Sequence, residues 1–340
     1  MSISRKLIEG ASGSSGGGGH VDDVFSTYLY EGTNADQDIE NGIDLAGEGG
    51  MVWSKSRSNA YDHGLMDTER GVAGGYLQSN DPAGAGTDTP SGKDLTSFNS
   101  DGYSVGPKYT GSWNSESNDY VSWTFRKAPN FFDVVTYTGD GVAGREIPHG
   151  LGCEVGFAIV KRTDAGTHWY AQHKDVDLTG NKTLYLSLPG PLQVSNNAWN
   201  STHATSENLI VGDHSDSNGL DGEYVAYLFA HDDSDESMIS CGSYTGNQTA
   251  GNEVDLGFEP QFVLIKAASG TGDWYMFDTV RGIVTGGNDP FLRANMSAAE
   301  SAAYEQLELK PTGFSLSAEI NVNANGIEYI YIAIRKPDTP

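Results

Sequence analysis

The chain has 340 residues, more than one compact domain usually needs, and pairs 44 glycines with only 19% charged and 10% aromatic residues. That mixture excludes a helical bundle and suits many short strands joined by Gly, Asn, Asp and Ser turns. Twenty basic against 46 acidic residues leave a formal charge of −26, which excludes a counterion-releasing surface for DNA or RNA and disfavours an anionic membrane.

Residues 1–21 read as a flexible arm. Met1 to Glu9 contain no apolar core of a signal peptide, and Ala11 to Gly19 are almost entirely Ser and Gly. No 18-residue apolar run follows, so the expectation is a chain made in a cytoplasm with no membrane insertion.

Beyond the arm the sequence repeats. Tyr30, Tyr137 and Tyr244 stand 107 residues apart, and each is followed two residues later by Gly32, Gly139 or Gly246. Lys55, Lys161 and Lys266 each close an apolar stretch. Arg70 and Arg281 recur at one position, and Trp169 and Trp274 recur where the first copy has His63. Each copy ends in an alternating segment that starts at Tyr120, Tyr224 or Tyr329. A period this long is a whole domain rather than a solenoid unit.

Within the middle copy, strands are expected at Phe132–Thr138, 154–162, 167–173, 183–188, 209–211 and 223–231, with Gly-rich turns between them. The one helix-like stretch is 297–305, in the third copy. The fold class is therefore all-β: three tandem antiparallel β-sandwich, jelly-roll-like domains at 22–130, 131–235 and 236–340, each burying its own core. The joints between them are short, which favours a stiff rod or a fixed triangle over loosely tethered domains.

Several motifs carry a resemblance: Asp23-Val24-Phe25-Ser26-Thr27-Tyr28-Leu29-Tyr30, Trp53-Ser54-Lys55-Ser56-Arg57, Asp67-Thr68-Glu69-Arg70-Gly71, Ser122-Trp123-Thr124-Phe125-Arg126-Lys127 and Ile147-Pro148-His149-Gly150. Over nearly its whole length the chain resembles the tail-fibre-like structural proteins of marine and cyanobacterial bacteriophages. The resemblance implies a virion protein without catalytic residues. It also implies partners: other virion proteins through the arm, copies of itself, commonly as a trimer, and host-surface glycan. A head decoration protein and a polysaccharide depolymerase are the alternatives.

The eight histidines are scattered and no Gly-x-Ser-x-Gly elbow occurs, so no triad is expected. Carboxylates for glycoside cleavage are plentiful but unpaired by sequence. Asp213, Asp216 and Asp221, in a loop rich in hard oxygen ligands, are candidate Ca²⁺ ligands; their spacing is not that of an EF-hand, and a solvated turn is the plainer reading. No other cofactor is expected. The recurring lysines read as edge charges or ion-pair partners, and the tryptophans as core. Cys153 and Cys241 fall in different copies and read as buried or idle thiols.

Overall fold

The computed structural model describes residues 20–283 and 286–337. The arm thus lies outside the described residues except for its last two. His20 is exposed, while Val21 is buried and opens a 3-10 turn.

Copy one contains β1 (Phe25–Glu31), β2 (Gln37–Glu40), a helical turn α1 (Leu45–Glu48), β3 (Gly50–Ser56), β4 (Gly64–Asp67), β5 (Leu95–Asn99), β6 (Gly102–Val105) and β7 (Asp119–Arg126). Copy two runs through β8 (Phe132–Thr138), β9 (Arg145–Pro148), β10 (Val155–Arg162), β11 (Tyr170–His173), β12 (Lys182–Tyr185), β13 (Gln193–Val194), β14 (Asn208–Val211), the turn α2 (Ser215–Asn218) and β15 (Glu223–Ala230). Copy three holds β16 (Ile239–Thr245), β17 (Asn252–Asp255), β18 (Pro260–Ala267), β19 (Trp274–Asp278), β20 (Leu292–Arg293), β21 (Leu307–Lys310), β22 (Gly313–Leu316), the turn α3 (Ile320–Asn323) and β23 (Glu328–Arg335).

The fold is all-β and antiparallel, and each copy carries a large and a small sheet. The large sheets have the orders β1-β7-β3-β4, β13-β12-β11-β10-β15-β8 and β16-β23-β18-β19-β20. The small ones are β2-β6-β5, β14-β9 and β17-β22-β21. In every copy the last long strand lies between the first and the long middle one. The register sets the repeated tyrosines opposite each other: Tyr30 on Tyr120, Tyr137 on Tyr224, Tyr244 on Tyr329. Their rings stack at 5.1 Å in all three copies.

The glycine two residues on is dictated by this corner. A Cβ on Gly32, Gly139 or Gly246 would meet a backbone oxygen at 2.2, 2.0 or 2.2 Å. Beside it a buried Asn, at 114, 218 or 323, accepts a backbone N–H from the residue after the glycine and donates to carbonyls across the loop. Each Asn thereby satisfies backbone groups on both sides of its corner.

The strands expected in copy two all form, within three residues of the stretches read from sequence. The helix expected at 297–305 does not. Ser301 instead bridges Phe291 as an isolated β contact, while the Glu300 N–H donates to the Arg57 carbonyl at 2.9 Å. Nine residues are too few to repay helix nucleation on their own, and these tertiary partners decide the conformation.

The long strands are buried on both faces. Along β18 and β23, Val263, Ile265, Tyr329, Tyr331 and Ala333 enter the core between the two sheets of copy three. The alternating Phe262, Leu264, Ile330, Ile332 and Ile334 enter a second core. That second core is shared: it also contains Trp53, Trp123 and Phe125 of copy one and Phe132, Phe157, Trp169 and Phe229 of copy two. Phe125 lies 5.5 Å from Phe132, 5.4 Å from Phe229 and 6.4 Å from Phe262, joining all three copies. The expectation that each domain buries only its own core is corrected. The copies form neither separate beads nor a rod; they close as a triangle around pooled apolar faces.

Candidate functional site

Several of the positions that recur in sequence meet at the three seams of this triangle. At one level a ring N–H crosses each seam to a backbone carbonyl. Trp169 donates to Gln78 O at 2.8 Å, Trp274 donates to Tyr185 O at 3.0 Å, and His63 Nε2 meets Arg293 O at 3.0 Å. Trp53 Nε1 donates to His63 Nδ1 at 2.9 Å, which leaves the His63 proton on Nε2, facing that carbonyl. His63 therefore does in copy one what the indoles do in the others. One backbone bond repeats at each seam as well: Glu300 N to Arg57 O, Ala85 N to Thr163 O, and Leu192 N to Ala268 O, at 2.7–2.9 Å.

The far side of each seam uses Asp67, His173 and Asp278, equivalent residues closing the shorter strands. Tyr227 donates to Asp67 at 2.8 Å, Trp123 donates to Asp278 at 3.1 Å, and His173 Nε2 meets Tyr331 O at 3.1 Å. Arg70 and Arg281 hold the two carboxylates at 2.7 and 2.6 Å. Arg281 also lies 5.2 Å from the Trp123 ring centre and reaches Glu300, which in turn pairs with Arg57 at 2.7 Å. The last copy is thereby tied back to the first.

The recurring lysines are not edge charges, because the strands that carry them are internal to their sheets. Each is buried. Lys161 donates to Pro82 O of copy one, and Lys266 donates to Pro189 O of copy two. Lys55 donates to Ser56 O and Asn59 O. Burial pushes Lys55 and Lys161 down to about 8 and Lys266 to about 7. The same cause pushes His63 to about 3 and His173 to about 4. The tryptophans are core, as expected; the bonds they send across the seams gave no sequence signal.

The calcium candidates are not gathered. Residues Ser215–Asn218 wind into a helical turn, which separates the ligands. Asp213 accepts from Asn197, Asp216 accepts from Ser215, and Asp221 occupies a left-handed turn. Among the described residues no three His, Cys, Asp or Glu side chains group so as to hold a metal ion. Cys153 and Cys241 are free thiols; desolvation pushes Cys153 up to about 11 and raises Cys241 further, so neither is a ready nucleophile. His168 Nδ1 lies 3.1 Å from Ser187 Oγ, a nucleophile-and-base contact. Ser187 is buried, however, in the segment that copy three covers through Lys266 and Trp274.

One cleft is built differently from the seams. In copy one the residues between β4 and β5 fold out over the small sheet and enclose about 420 Å³. Met66, Val72 and Leu95 supply an apolar wall, and Tyr76, Thr89 and Lys93 supply polar ones. Thr89 Oγ1 is buried and has no partner among the described residues. The floor is rigid: the Asp94 carboxylate accepts from Tyr109 N, Thr110 N and Thr110 Oγ1 at 2.7–3.0 Å. Tyr109, whose N–H meets Asp94, is exposed and donates its hydroxyl to Asp88 at 2.8 Å. In copy two the equivalent stretch continues the large sheet as β12 and β13. Sequence reasoning missed the cleft, since its loop is rich in Gly, Pro, Thr and Ser and carries no periodic pattern.

No curated protein matches the chain. A family model described as a domain of unknown function, DUF7483, matches residues 20–337, taking all three copies in one span. That span runs from the first to the last described residue and so takes in the whole closed triangle, and the chain belongs to the DUF7483 family.

Proposed function

We propose that the chain is a non-enzymatic structural component of a bacteriophage virion, a triangular knob projecting from the tail or head and attached through its N-terminal arm. The observation that carries this reading is the use to which the repeated residues are put. Three copies of one fold spend their equivalent His/Trp and Asp/His positions, and two of the three recurring lysines, on sealing seams rather than on forming a catalytic cluster. The single chain then supplies the threefold body for which fibre proteins commonly combine three chains. The motif resemblance to phage tail-fibre-like proteins and the strongly acidic composition lend further support.

Two experiments test the proposal. Deleting residues 1–20 leaves a folded protein that fails to join the particle; normal incorporation would refute the anchoring role. Incubating the purified chain with host polysaccharide releases no new reducing ends; their appearance would replace the structural reading by that of a depolymerase. Copy number per particle separates a tail knob from head decoration, which follows capsomer number.

A further inference from the structure

The geometry points to the copy-one cleft as a binding site for a neutral sugar residue. Sugars present apolar C–H faces edged by hydroxyls, and the cleft walls alternate in the same way. Met66, Val72 and Leu95 offer an apolar surface, while Tyr76 and Lys93 offer hydrogen-bonding groups around it. At about 420 Å³ the space lies within the range of small-molecule sites, and its Asp94 floor is preorganised by three hydrogen bonds. A net charge of −26 selects against polyanionic glycans at long range, which favours neutral ones.

The inference rests on the surface-projection reading only for the origin of the sugar. The test uses isolated full-length protein, so its failure would leave the particle experiments untouched. Saturation-transfer NMR and calorimetric titration with maltose, cellobiose, lactose, chitobiose and sialyllactose are expected to show binding of at least one neutral disaccharide. Tyr76→Ala is expected to weaken it about tenfold, the loss of one good contact. Ala73→Trp, a substitution at an exposed lining residue, is expected to abolish it without lowering the melting temperature. Absence of binding to every sugar, binding of sialyllactose alone, or full binding by the folded Ala73→Trp variant would each overturn the proposal.

Discussion

Buried ionisable side chains fix how stability responds to pH. His63 and His173 fold as neutral imidazoles at about 3 and 4, against about 6.5 in the unfolded chain. Between those values the unfolded state binds protons that the folded state refuses. Stability is therefore present above pH 6.5 and is lost as pH falls toward 4. A melting temperature that drops between pH 7 and 4.5 is the expected outcome. His63→Gln, which keeps an acceptor for Trp53 and a donor for Arg293 O, should flatten that slope. The lysines act on the alkaline side. Lys266 folds at about 7 but unfolds near 10.4, so raising the pH from 7 to about 9 adds stability. Lys266→Met should remove part of that rise in a pH series of thermal melts.

At the scale of an element, the Tyr-x-Gly corner separates steric from conformational roles of glycine. Gly139→Ala would drive a Cβ into Gly219 O at 2.0 Å and should cost about 2–3 kcal/mol. Gly152→Ala, at φ +69 with no atom nearby, meets only left-handed strain, about 1–2 kcal/mol. Denaturant unfolding of the two variants checks the order. The strands themselves were legible because alternation and Gly-rich turns are local signals, and Phe132–Thr138 forms over the residues read from sequence. The stretch 297–305 was not, because its alanines favour a helix while Arg57 and Phe291 pull its backbone elsewhere. The cleft was equally hidden, since Tyr76 and Thr89 meet Leu95 only through the path of the intervening loop.

For the molecule as a whole, a shared core predicts shared unfolding. Three beads would melt in separable steps, whereas a triangle with one pooled core should give a single calorimetric transition. Trp123→Ala, which empties a site at the centre and removes the bond to Asp278, should lower the stability of the whole body by about 3–5 kcal/mol. Truncation after residue 235 should yield aggregating rather than soluble protein, because it strips the cover from Phe125 and Trp123.

The sequence alone determined the strands, the threefold repetition and the equivalence of the recurring residues. Each of these is written in period-two patterning, turn chemistry or self-similarity. Continuous apolar runs such as Phe262 to Ile265 read as strands, but their burial on both faces was not read from sequence. What covers the second face was decided by tertiary structure, because the apolar surface of one copy is as well suited to burial against a neighbour as against its own sheet. The same holds for the lysines. A side chain at a strand end faces water or a carbonyl according to where a loop about eighty residues away is placed, as Pro82 and Pro189 are here.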